Sequence, residues 1–275
     1  MDLKFLPELV NNMEKYLKIY GALLKTSISR MLSYRFNTVV HLFITTSIWI
    51  FMTTFSMYLI TLKTGSVFDW TAGELVLNAC IYNVFIGIFS FFFVRSINEF
   101  SELVDKGTFD FILLKPFDSQ FYTSLRNPYL PSLFRTFVGI LLMIFIITTY
   151  NISVNLLSVV LFVFALLMGI LLLYFCLFIL NTFIIWAPKL DNINELFYTL
   201  RAVGRFPRET FIQLNEIFFV LLAPFIIITA TPTRILIGKA TSYEMGELVV
   251  FTIVMGIVAR LFWKFALGHY TSASS

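Results

Sequence analysis

Residues 153–185 run for 33 positions without a charged side chain, and no other feature restricts the fold of this chain so strongly. A bilayer core of about 30 Å asks for about 20 apolar residues in a helix. As one helix the run would reach about 50 Å at a rise of about 1.5 Å per residue, so it has to tilt, kink or project beyond the bilayer. Composition carries the same message for the rest of the chain. With 59% hydrophobic and 13% charged residues, 33 Phe and a mean hydropathy of +0.86, it falls outside the soluble globular class. An all-α polytopic membrane protein is expected.

Six apolar runs meet the length requirement: 36–61, 75–94, 132–150, 153–185, 211–231 and 248–267. Charge decides how often the longest one crosses. With six crossings and a cytoplasmic N-terminus, 17 of the 20 Lys and Arg flank cytoplasmic ends and only Lys63, Arg234 and Lys239 lie outside; splitting 153–185 in two would leave 13 against 7. The positive-inside rule therefore selects six spans in a cell membrane, plasma or bacterial inner, with both termini in the cytoplasm. Ahead of the first span, Leu6, Leu9, Val10, Met13, Tyr16, Leu17, Tyr20, Leu23 and Leu24 recur at helical spacing opposite Glu8, Asn11, Glu14, Lys15 and Lys18. Residues 1–35 are thus expected as a cytoplasmic amphipathic helix in the membrane interface, and 36–275 as the six-span unit. The opening residues lack the continuous apolar core of a signal peptide, so the first span is expected to direct insertion. Arg135, Arg260 and Lys264 stand near span ends and are expected to snorkel to the interface. Pro224 should kink the fifth span, and the apolar residues 225–231 ahead of Pro232 leave a re-entrant turn open.

Between the second and third spans lies a polar connector, 95–131, with more helix punctuation than a bare loop needs. Ile97, Phe100, Leu103 and Val104 share one side of a helix over 96–106, with Glu99, Glu102 and Asp105 on the other. Gly107 stands where that helix should end in a left-handed residue. Thr108 is the expected N-cap of a second short helix, with Asp110 in its first turn and Lys115 and Pro116 closing it. Asn127, Pro128 and Pro131 break the chain before the next span. Three acids on one face would be repelled by anionic head groups, so a protein partner with basic residues suits this connector better than lipid. A second connector, 187–209, ends in Arg205-Phe206-Pro207-Arg208, read equally as a positive anchor for the fifth span or as a second cytoplasmic contact through Arg205, Pro207 and Arg208.

Catalytic chemistry finds little support. His41 and His269 are the only histidines, no H-E-x-x-H or metal-ligand spacing occurs, and Gly238-Lys239 lacks the upstream glycine of a phosphate-binding loop. Glu216, the deepest carboxylate of the fifth span, reads as an end-of-span residue. Cys80 and Cys176 fall inside apolar runs and are expected as buried thiols. Basic residues form no continuous stripe, so nucleic acid is no partner. No catalytic residue, metal or cofactor is expected on this chain, and any nucleotide hydrolysis belongs to another. A channel, secondary carrier or membrane scaffold that works without an ATPase is the competing class.

The connector text KGTFDFILLKPFDSQF, with Gly107, Phe109, Asp110, Leu114, Lys115 and Pro116 as its recognisable points, resembles the permease subunits of type-2 ATP-binding-cassette (ABC-2) exporters, in a branch without an assigned cargo. Phe206-Pro207, Pro224 and Pro232 also fit, and the resemblance spans nearly the whole chain. It implies two permease subunits, identical or related, working with two ABC ATPase subunits that bind ATP and Mg. It further implies that the helix over 96–106 is the cytoplasmic coupling helix, with Glu99, Glu102 and Asp105 toward the ATPase, and that the N-terminal helix braces against the same subunit. An unidentified, amphipathic or hydrophobic substrate would then be exported at the expense of ATP hydrolysed on the partner.

Overall fold

Inside a bilayer every backbone N–H and C=O has to find its partner within the protein, and a helix achieves this in one segment. The computed structural model describes residues 5–33, 36–64, 66–67, 69–186, 192–211 and 216–270. Its order is α1 (Phe5–Leu32), α2 (Phe36–Thr64), a short antiparallel ladder of β1 (Ser66–Val67) and β2 (Trp70–Thr71), then α3 (Ala72–Phe89), α4 (Arg95–Asn98), α5 (Phe100–Asp105), α6 (Asp110–Leu113), α7 (Ser119–Leu125), α8 (Ser132–Thr149), α9 (Leu156–Thr182), α10 (Ile193–Arg201), α11 (Glu216–Leu236) and α12 (Ser242–Gly268). The all-α polytopic class is confirmed.

Among the described residues, five stretches are long and apolar enough to cross a membrane: Leu42–Leu62, Ala72–Asp105, Ser132–Thr149, Leu156–Ile185 and Ser242–Gly268. The 33-residue run is a single helix finished by a 3-10 turn over Phe183–Ile185. The expected fifth span is α11, Glu216–Leu236, set about five residues later than expected, and its 21 residues cover about 30 Å at 1.5 Å per residue. Pro224 and Pro232 both lie inside α11, so 225–231 is helix and forms no separate re-entrant turn. Pro232 removes the amide that would bond the carbonyl of Ile228, and α9 closes on that point. Gly169 is so near that a Cβ there would come within 2.8 Å of the Ile228 oxygen. The side chain of Glu216 lies outside the described residues, as do those of His41 and Lys63.

α3 is the axis of the bundle. From Gly73 to Phe89 every residue except Ile88 is buried, because α2, α8, α9 and α11 pack around it. Lipid tails are as apolar as leucine, so such helices associate through close packing at small residues. Two glycines give α3 and α8 that approach. A Cβ on Gly87 would meet the Thr136 backbone nitrogen at 2.7 Å, and one on Gly139 would meet the Val84 nitrogen at 3.0 Å. α2, α8 and α12 turn most of their apolar surface outward, with only 17%, 11% and 17% of their windows buried. Cys80 and Cys176 are free, buried thiols.

At the end where the connector lies, α3 runs on without a break. A π-helical turn over Ser90–Val94 carries it directly into α4 and α5, so the axial helix and the connector are one stiff element.

The close α3–α8 crossing leads to a graded expectation. Gly87→Val should destabilise the protein by about 2 kcal/mol through overpacking, read as a lower melting midpoint in detergent. Gly246→Ala, on α12 with nothing within 4 Å of the added Cβ, should be neutral or raise stability by up to about 1 kcal/mol.

Candidate docking elbow

Burial sorts the connector as the apolar spacing foretells. Ile97, Phe100 and Val104 are buried, Leu103 partly so, and Gly107 takes φ +65° at the end of α5. The bend it creates lets Phe109 turn back onto the bundle. Phe100, Phe109 and Trp263 pack mutually in edge-on and tilted contacts at centroid distances of 5.2, 5.7 and 5.9 Å, and Trp263 also meets Phe178 of α9 at 4.9 Å. All four rings are buried, so the elbow is bolted to α9 and α12 by aromatic packing. Thr108 is not the N-cap of α6. Phe109 occupies that position, and the Thr108 hydroxyl bonds the Leu103 carbonyl at 3.3 Å.

Polar contacts fix the return limb. Asp118 caps α7 by accepting the Phe121 amide at 2.9 Å and holds Arg260 at 2.6 Å; the same guanidinium donates to Gln120, and the Trp263 indole donates to Ser119. Arg260 thus grips α7 and does not snorkel to the interface. The α7 helix itself escaped the sequence reading, although Asp118 three residues before Phe121 is the cap signature that marks it. α1 lies against this limb: Lys15 donates to the Pro116 carbonyl, the Asp118 amide donates to Tyr16, and the Tyr16 ring meets Phe121 edge-on at 4.8 Å.

The anticipated docking residues separate into two groups. Glu99 is turned into the protein, where Arg95 at 3.1 Å, Arg126 at 2.8 Å and the Asn127 amide close on its carboxylate. It joins the outgoing limb to the returning one and is no part of an open acidic face. Lys115 is also internal, donating to the Tyr122 hydroxyl at 2.9 Å with its ammonium 4.1 Å above that ring. Asp110 begins α6 and is half-buried, and Pro116 is exposed while its carbonyl holds Lys15. Glu102 and Asp105 remain outward, Glu102 sharing its charge with Lys106 at 2.9 Å. That hydrogen bond and the Glu102 charge raise Lys106 above its ordinary pKa.

Beside them stand two residues not foreseen as contacts. Phe111 is 68% and Leu114 81% exposed, side by side on a single helical turn at the tip of a polar elbow. A signal existed: FILL over 111–114 puts four apolar residues on a helix too short to bury more than one side, and Ile112 takes it.

Arg205, Pro207 and Arg208 do not join this surface. Arg208 pairs with Glu247 near the start of α12 at 2.6 Å, whereas the elbow binds Arg260. Thirteen residues of helix separate those two anchors, about 20 Å. The two anticipated contact regions therefore occupy opposite ends of the bundle, and one partner docked at the elbow cannot hold both. At the far end Arg208 belongs to an ionic cluster. Arg234 bonds Glu209 at 2.6 Å and Glu244 at 3.1 Å, Lys239 bonds Glu74 at 2.8 Å, and the Trp70 indole donates to Glu209. These acids come from three separate segments, at Glu74, Glu209 and Glu244 with Glu247, and no local pattern announces the cluster.

Arg135 also departs from expectation. Its side chain reaches inward, and Nε and Nη2 both donate to the Asn83 carbonyl oxygen at 3.0 and 2.8 Å. Asn83, midway along α3, is pinned by donating to Thr53 of α2 and to the Ala79 carbonyl.

Compared with known sequences, residues 47–274 match the family model described as ABC-2 family transporter protein. No curated protein matches. Membership of that family entails a membrane-embedded permease of an ABC transporter that associates with an ABC ATPase. The match covers well over half of the sequence and agrees with the helical bundle, and the chain belongs to the ABC-2 transporter family.

Proposed function

We propose that the elbow is the element through which an ABC ATPase drives this permease, with Phe111 and Leu114 as its apolar plug and Glu102 and Asp105 as its acidic rim. The observation that carries this reading is the exposure of two large apolar side chains at the tip of a rigidly held polar loop. Away from lipid, such a pair on a single turn marks a surface that another protein covers. The acids beside it suit a cleft with basic residues. Gly107, Lys115, Pro116 and Asp110 shape and brace the turn, and Glu99 keeps its two limbs together.

Drive through this point requires stiffness between plug and membrane, which the unbroken passage from α3 into α5 supplies. Closure of the ATPases around ATP and Mg would push the elbow, and α3, with four helices around it, would carry the displacement into the bundle. A second permease subunit, identical or related, completes the assembly, so that two permeases sit over two ATPases. We place the elbow end in the cytoplasm: with Arg205 and Arg208 moved to the Arg234 end, the six-span reading of the sequence still leaves 15 of the 20 basic residues flanking cytoplasmic ends.

Co-purification with the cognate ABC ATPase tests the reading. Phe111→Asp with Leu114→Asp should weaken the complex by about a hundredfold, the loss of two interface anchors, while the variant still inserts and elutes as wild type. Retention of the ATPase at wild-type level by that variant would refute the plug. Glu102→Lys with Asp105→Lys should weaken association by about tenfold and steepen its dependence on salt. Glu99→Gln should behave differently, lowering the melting midpoint by the equivalent of about 2 kcal/mol while leaving the plug able to bind.

A further inference from the structure

A guanidinium in the membrane interior calls for a counter-charge, and Arg135 has no carboxylate partner among the described residues. Its two printed bonds both go to the neutral Asn83, and an arginine has five N–H donors, so three remain to be used. The nearest charge of note is of the same sign: Arg201, close enough to act on Arg135 as a like charge, keeps its Nη1 buried with no hydrogen-bond partner. This region of α3, α8 and α10 is therefore electropositive inside the bundle.

The same helices carry an apolar cavity. Between α2 and α8, above α3, a groove of about 340 Å³ opens sideways and is lined by Phe51, Phe55, Tyr58, Val76, Leu142 and Ile146, among others. Its volume is within the range of small-ligand sites. Its position relative to the arginine follows from helix periodicity. Leu142 is seven residues beyond Arg135 on α8, and Val76 seven residues before Asn83 on α3, so each pair shares a helix face two turns apart. Measured along both helices, these lining residues thus lie about 10 Å from Arg135 and Asn83, which do not themselves line the groove. The Arg135–Asn83 pair is cationic, and the groove two turns from it is hydrocarbon-like.

We infer that the Arg135–Asn83 pair and the groove above it bind an anionic amphiphile, with its acidic head on Arg135 and its hydrocarbon tail between α2 and α8. Asn83 acts as the positioning residue that turns the guanidinium inward, and Thr53 holds Asn83. The inference names the cargo class for the permease reading and rests on that reading for transport, though not for binding.

The test uses dodecyl phosphate as probe, with dodecyltrimethylammonium as the tail-matched cation and methyl phosphate as the tail-free anion. Binding is read by native mass spectrometry on the purified permease without its ATPase. Wild type should hold dodecyl phosphate at least about tenfold more tightly than either comparator, and Arg135→Gln should lose about tenfold, as expected for a charge-assisted hydrogen bond. Arg135→Lys should stay within about threefold of wild type, and Leu142→Trp, which fills the groove and leaves the arginine in place, should lose about tenfold. Equal binding of phosphate and ammonium probes by wild type, or undiminished phosphate binding by Arg135→Gln, would overturn the inference. Should Arg135→Gln not fold, Leu142→Trp and the paired probes decide alone. A permease whose mass falls from dimer to monomer in Arg135→Gln, without any preference for the anion, would instead place the counter-charge on a second copy and also overturn it. Because no ATPase is present, failure of the elbow reading leaves this result standing, and the reverse holds as well.

Discussion

Everything mechanical in this protein depends on the aromatic junction at Trp263. Phe109 from the elbow, Phe100 from the extended axial helix and Phe178 from α9 close on one indole of α12. Polar pairs on the return limb, Arg260 with Asp118 and Trp263 with Ser119, fix the orientation that ring packing alone would leave loose. A loop so held cannot move without moving the ends of α9 and α12. In the proposed reading, that is how a push from the ATPase would become a displacement of membrane helices.

The far end is built on a different principle. There charges do the fastening, with Arg234 between Glu209 and Glu244, Arg208 on Glu247 and Lys239 on Glu74. Such pairs are partly buried, and breaking one leaves an uncompensated charge. The apolar junction at one end and the ionic one at the other stand about 20 Å apart along α12, and both fasten it to its neighbours. The broken 192–211 segment rises between them, with Gly204 pressed on α11, where a Cβ would come within 2.7 Å of the Phe225 carbonyl.

How much of this was legible in the sequence depended on whether the signal was local. The spans, the left-handed Gly107 and the buried face of Ile97, Phe100 and Val104 follow from spacing and chain stereochemistry, and the structure has them. Charge counting placed Arg208 with the cytoplasmic anchors because it knows only neighbours along the chain; its partner Glu247 is 39 residues away. Arg135 reads in the sequence as a snorkelling residue because one turn from a helix end is where such residues usually sit, and nothing nearby along the chain reveals that Asn83 of another helix draws it inward. Glu99, Glu102 and Asp105 were indistinguishable as a helical acidic face. Only the return of the chain to Arg126 and Asn127 separates the first from the other two.

The central claim is that the elbow carries the ATPase, and accessibility at Leu114 tests it most directly. Cys80 and Cys176 are buried, so a Leu114→Cys variant offers a single exposed thiol to a membrane-impermeant maleimide. The account predicts labelling in inside-out vesicles, none from the outer face of intact cells, and protection once the ATPase is bound. Labelling from the outer face, or a thiol that stays equally reactive with the ATPase bound, would contradict it.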